Sequence, residues 1–157
     1  MAMQTTARPP ASCPTLESGD RLTREEFHRR YLQRPDIKKA ELINGVVYVA
    51  SPVRLPQHGE PHGLLMGEFA AYRRRRKGVR IGDNSTVRFP DGSDVQPDCL
   101  LAFRGGTSIV DDEGYVIGVP ELCAEIAASS VSYDLHDKKD LYGRMGVREY
   151  IVWRVED

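Results

Sequence analysis

PELCAEIAASSVSYDLHDKKDLYGRMGVREYIVW, Pro120–Trp153, is the stretch that decides the fold. It opens on LCAEIAA, a continuous apolar run of buried-strand length, broken in its middle by one acid, Glu125. A polar SSVS segment follows. Then comes a helix for which Asp134 is the expected N-cap and Asp137 the N3 residue, with Leu135, Leu141, Tyr142 and Met145 as its apolar face. Gly146 stops that helix, and EYIVW is a β-branched and aromatic strand. Strand, helix and strand in this order belong to a sheet that carries helices on its faces.

Working outward, VQPDCLLAF contains a second interior strand, CLLAF, with Asp98 standing directly behind Pro97 and in front of the apolar run. An uncompensated carboxylate at the mouth of a buried strand costs on the order of several kcal/mol. Asp98 therefore requires a capping role, a cationic partner or a metal. Two apolar strands thus carry one acid each, and if they are neighbours Asp98 and Glu125 converge at one end of the sheet. Two such carboxylates repel each other unless a proton or a cation intervenes. Lys138, on the helix after the Glu125 strand, can reach back over that strand's end, or pair with Asp134 at i,i+4. Asp98 as a turn cap and Glu125 as an arginine partner stand beside the metal reading.

The upstream half supplies the remaining elements. Thr23 with Glu26 is a capping box for a short helix through FHRRYLQR that Pro35 closes. AELINGVVYVAS is a hairpin about Asn44-Gly45. SPVRLPQHGEP reads as loop, and HGLLMGEFAAYRRRRKG as a helix with Leu64, Leu65, Phe69 and Tyr72 at helical spacing and Gly78 as its stop. VRIGDNSTVRFPDGSDVQP suggests one or two strands with a turn at Asp91-Gly92, and RGGTSIVDDEGYVIGVP a loop with one strand pair. The expected class is α/β or α+β, a central mixed β-sheet flanked by α-helices. The first 20 residues, with three prolines and few large apolar side chains, are expected to be a flexible arm, and 21–157 a single domain.

Composition narrows the class further. The chain is 40% apolar and 29% charged with a net charge of -1, so overall charge selects no polyanionic partner. No stretch has the roughly 20 apolar residues that span a bilayer, and no apolar signal core opens the chain. A cytoplasmic location is expected. Three cysteines without a CxxC pair fit reduced thiols and no zinc site.

These residues carry a resemblance. Pro97-Asp98, Glu125 in an apolar strand and a lysine on the next helix are similar to the PD-(D/E)XK nuclease superfamily. ELINGVVY, SPV with His58 and His62, QPD, PELCAEIAASS and YDLHDKKDLYGRMGVREYIVW resemble more closely the Uma-type restriction endonuclease family, known chiefly from bacterial genomes. The likeness runs from about Glu41 to Trp153 and implies a restriction-endonuclease-like core. It also implies a magnesium-dependent endonuclease, with manganese as substitute, hydrolysing DNA. Asp98 and Glu125 become the metal-binding acids, with the backbone carbonyl of Ile126 a further ligand. Two positions after Glu125 stands Ala127 where the superfamily pattern wants lysine, and Lys138 is similar to the displaced lysine of Uma-type members. Glu41 resembles an acid that leans on the metal through water, and Tyr142 packs beneath Lys138. The family continues past the final strand, whereas this sequence stops at Asp157, so a short member and a truncated chain are both open readings.

Other motifs are weighed against this. His58 and His62 form HxxxH, but Gly59 and Pro61 argue against one continuous helical face and HExxH is absent; a helix-entry or substrate-side role is favoured over a metal site, with His62, if the nuclease reading holds, supporting the metal's ligands or contacting a phosphate. Arg73, Arg74, Arg75, Arg76 and Lys77 can track a phosphate backbone, though a solvated helix end is the plainer reading. Ser130, with Ser129 and Ser132, has no GxSxG elbow and is expected in the loop beside the metal. No organic cofactor motif is present, and a homodimer is expected for cutting both strands of a duplex. The alternative function is a catalytically inactive nuclease fold that binds nucleic acid or a protein partner. Metal-independent chemistry at His58 or His62 is a third reading.

Overall fold

The computed structural model describes residues 14–128 and 132–155. Among them are three α-helices, α1 (Arg24–Leu32), α2 (Glu60–Arg75) and α3 (Ser132–Met145). The strands are β1 (Ala40–Ile43), β2 (Val46–Val49), β3 (Val79–Asp83), β4 (Val87–Arg88), β5 (Asp94–Val95), β6 (Cys99–Phe103), β7 (Ser108–Val110), β8 (Val116–Gly118), β9 (Leu122–Ala128) and β10 (Glu149–Val155). They divide into two mixed sheets, one of six strands in the order β2-β1-β5-β4-β8-β7 and one of four, β10-β9-β6-β3. The α+β class with mixed sheets and flanking helices is the one expected, and the strands read as one sheet form two. No helix of the described residues is long and apolar enough to cross a membrane.

Local chemistry explains the elements. Asn44 (φ 52) and Gly45 (φ 78) make the two-residue turn between β1 and β2, both in the left-handed region that such a hairpin needs. The Thr23 hydroxyl accepts the Glu26 N–H at 3.3 Å, capping α1. α3 begins at Ser132, so Asp134 lies inside the helix and is not its cap. The segment read as loop before α2 holds a π-helical turn, Leu55–Gly59, that runs directly into it. Pro61 sits in the first turn of α2, where its missing N–H leaves no intrahelical bond unmade. On α2, Phe69 is buried and Leu65 packs beside it, but Leu64 and Tyr72 are exposed. α2 covers one face of the four-stranded sheet and is open to solvent on its other side, so its buried stripe is narrower than the spacing suggested.

Strand alternation sorts the core. Cys99 and Leu101 of β6 and Ala124 of β9 face Phe69 of α2. Leu100, Ala102 and Cys123 face the other way, onto Leu141 and Tyr142 of α3, onto Ile43, Val87 and Val95 of the six-stranded sheet and onto Phe89 just after β4. α1 closes a smaller cluster over the hairpin through Phe27, Ala40, Leu42 and Val47. Leu16, inside the stretch expected to be an arm, is 2% exposed in that cluster. The face of β6 and β9 turned toward α3 and the six-stranded sheet is the one on which the chemistry collects.

Candidate active site

The β6–β9 ladder pairs Leu101 with Leu122, Leu100 with Cys123 and Cys99 with Ala124, and no pair beyond that. Pro97, which has no N–H to donate, stands where the pairing stops, and the strands part. Asp98 fills the gap: its Oδ2 accepts the N–H of Ile126 at 2.8 Å. In an extended strand the N–H and C=O of one residue point to the same side, so the Ile126 carbonyl also faces the Asp98 side of β9. By alternation Asp98 shares the face of Leu100, and Glu125 that of Cys123. The two acids singled out in the sequence therefore lie on one face at one end of neighbouring strands.

Four further elements close on them. Glu41 of β1, on the same strand face as Ile43, reaches across from the six-stranded sheet and receives the Nζ of Lys138 at 2.9 Å and the backbone N–H of Gln96 at 2.7 Å. Lys138 of α3 also meets Glu125 Oε1 at 3.0 Å, and Tyr142, one turn on, donates its hydroxyl to that same oxygen at 3.1 Å. Lys39, just before β1, bonds Asp98 Oδ1 at 2.8 Å and Asn84 at 3.0 Å. His58 Nε2 lies 3.2 Å from Asp98 Oδ2, and His62 Nε2 2.9 Å from the Asp98 carbonyl oxygen and 3.2 Å from Asp83. The π-helical turn carries the helical path through Gly59, which brings the two imidazoles to 5.6 Å between ring centres. The expected break between the histidines is thus absent, and His58 shares the Asp98 contact with His62.

The electrostatics are those of crowded buried charge. Burial raises the Asp98 carboxyl, but hydrogen bonds from His58, Lys39 and Ile126 outweigh it and hold the group well below the usual carboxylate range. Burial pushes Glu125 up to about 7; Lys138 opposes this, while Glu41 and Asp98 add to it. Burial also works against the Lys138 ammonium, yet Glu125 and Glu41 hold its pKa above the ordinary value. When all three ionise, Glu41, Asp98 and Glu125 carry one more charge than Lys39 and Lys138, and the raised Glu125 carboxyl sheds part of that excess by keeping its proton. Hard oxygen donors with surplus negative charge suit a divalent cation. Among the described residues no group of three or more ligands is gathered round one point, and the ammoniums stand among the carboxylates. Asp98, Glu125 and the Ile126 carbonyl are oxygen donors of the kind such a cation takes, and Lys39 and Lys138 hold the two carboxylates in this structure.

Glu41, Asp98, Glu125, Ile126, Lys138, Tyr142 and His62 are thus brought together. Ser129 and Ser130 lie outside the described residues, as does the side chain of Ser132. Arg73, Arg74, Arg75, Arg76 and Lys77 stand exposed at the far end of α2. At 1.5 Å per residue they are about 16–22 Å along the helix from His62, away from the carboxylates. Lys39 and the His58 contact were missed. Lys39 stands two residues before Glu41, so the alternation that aimed Glu41 inward was the available signal.

Comparison with solved structures defines the class first. The fold is that of a crystal structure described as a putative nuclease belonging to DUF820 from Anabaena variabilis ATCC 29413, at a TM-score of 0.60 and 15% identity. The likeness covers 86% of this chain and 74% of that one. The family follows from the sequence: residues 24–157 match Uma2, described as "Putative restriction endonuclease", and the chain belongs to that family. A search of the curated proteins gives no match.

Proposed function

We propose that the chain is a metal-dependent endonuclease that hydrolyses phosphodiester bonds of DNA. One observation carries the reading. Glu41, Asp98 and Glu125, brought together from both sheets, meet Lys39 and Lys138, and the buried Glu125 carboxyl is raised, the kind of perturbation that gathers at functional sites. The membership in Uma2 and the nuclease-like fold support it.

Asp98, Glu125 and the Ile126 carbonyl would hold magnesium, or manganese in its place. When bound, the ion supplies a water of lowered pKa and a counter-charge for the phosphate oxygens. Lys138 and Tyr142 fix the Glu125 carboxylate from behind, and Glu41 fixes Lys138 in turn. The Lys138 ammonium donates to the attacking water and steadies negative charge at phosphorus. Lys39, His58 and His62 stand on the Asp98 side, where donors to a non-bridging phosphate oxygen belong. Supercoiled plasmid incubated with the protein and magnesium or manganese should be nicked or linearised; EDTA and Glu125→Gln should both stop this. Cleavage that survives both would remove the site from the reaction.

A second reading has its own support, since Lys39 and His58 already occupy the Asp98 oxygens. A non-catalytic descendant that binds nucleic acid or a partner would keep that closed arrangement and would take up no divalent ion.

A further inference from the structure

β3 and β7 are the outer strands of the two sheets, and between them runs a cleft of about 610 Å³. Arg73, Arg80 and Arg104 line it, and among the described residues no carboxylate does. None of these three guanidiniums makes an ion pair with a described residue, whereas Arg24, Arg29, Arg30, Arg34 and Arg88 all do. In a chain whose net charge is -1, three unpaired guanidiniums round one cleft are a local concentration that the composition hides. Arg76 adds a fourth at the rim, 5.7 Å from the centre of the Phe103 ring.

The cleft is aligned with the carboxylates. Arg80 pairs with Ala102 across the β3–β6 ladder, so the two share a face. Alternation along β6 puts Leu100 and Asp98 on that face as well. From Asp98 to the level of Arg80 is four residues, about 13 Å at roughly 3.3 Å each. Arg104 lies about 20 Å from Asp98 on the same count. Along one strand of a duplex, phosphates recur about every 3.4 Å of axis, so these arginines meet the backbone about four to six phosphates from Asp98. Guanidinium presents a planar fork of donors that matches phosphate oxygens.

We propose that this cleft carries the phosphodiester backbone of the DNA strand whose cleavage site lies at the carboxylates. The choice of occupant rests on the endonuclease reading; the anion-binding cleft itself does not. The arginines set affinity and register, and carry no sequence preference of their own.

The test is fluorescence anisotropy of a short labelled DNA duplex with the full chain in EDTA, from about 50 to 200 mM salt. Arg80→Ser with Arg104→Ser should weaken binding about 10- to 100-fold at low salt and flatten the log–log salt slope by about 2. The paired lysine variants should keep most of the slope, and Arg74→Ser with Arg75→Ser should leave binding unchanged. If the serine pair loses its melting transition, Arg80→Gln alone, at an exposed position of β3, reads the same quantities with about half the effect. Unchanged binding in the cleft variants would overturn the proposal even in a protein that cleaves. Displacement of the duplex by polyglutamate at equal charge would overturn the assignment to DNA. Lost binding in the variants, beside a wild type that cleaves nothing in any metal, would leave the cleft standing and remove the endonuclease reading.

Discussion

Asp94 and Asp98 are four residues apart, both 3% exposed and both beside cations, yet their carboxyl groups are shifted in opposite directions. Asp94 has Arg24 Nε at 2.6 Å and Arg88 Nε at 3.7 Å. Burial prevails there over both arginines, and the carboxyl is raised. Asp98 receives Lys39, the Ile126 N–H and His58 on its two oxygens, and these prevail over burial. What separates them is the number of donors at hydrogen-bonding distance, since both have positive charge nearby. Asp94 ties α1 to β4 and β5. Asp98 stays ionised at a strand opening beside Glu125.

That difference is open to attack by mutation. Asp98→Asn should lower metal-dependent cleavage on the order of 10²–10³-fold or more with the fold retained, as a plasmid assay beside thermal melting would read. Asp94→Ala should do the reverse. With Arg24 left without its carboxylate and Arg88 keeping only Asp111 and Glu113, urea unfolding should register a loss of about 3 kcal/mol, while the folded fraction keeps its specific activity. Equal behaviour of the two variants would erase the distinction.

Glu125 sharpens it through pH. Its carboxyl is raised from 4.5 to about 7, so the folded state holds the proton more tightly and ionisation of Glu125 costs stability. The cost is absent below about pH 4.5 and grows as the pH rises through about 7. Glu125→Gln should therefore melt higher than wild type at pH 8 and level with it near pH 4.5. A gap that does not depend on pH would contradict the raised carboxyl. Smallest is the change expected from Thr23→Ala, about 1 kcal/mol from the lost cap on α1, with cleavage untouched.

Much of this was legible before the fold. An acid inside LCAEIAA and another between Pro97 and CLLAF break an apolar pattern, and a broken pattern is visible in one dimension. The hairpin at Asn44-Gly45 and the interior positions of β6 and β9 were visible for the same reason. Lys39 was harder to see, because a lysine in the polar stretch DIKKAE breaks nothing and only its spacing from Glu41 marks it. Asp94 escaped notice in the same way inside DGSD, although it is as buried as Asp98. The division into two sheets depends on pairings such as β1 with β5 and β4 with β8, made by strands as short as two residues that carry almost no periodicity. The helical path through Gly59 comes from backbone bonding to the Arg54 carbonyl, which side-chain identity does not announce.

The central claim is that Asp98 and Glu125, with the Ile126 carbonyl, take up a divalent cation. Calorimetric titration of manganese into the full chain, wild type beside Glu125→Gln, tests it without needing the right DNA substrate. The account predicts saturable binding in wild type that vanishes in the variant. An absence of binding in both would contradict it, and would leave Lys39 and His58 as the standing partners of Asp98 in a closed, non-catalytic site.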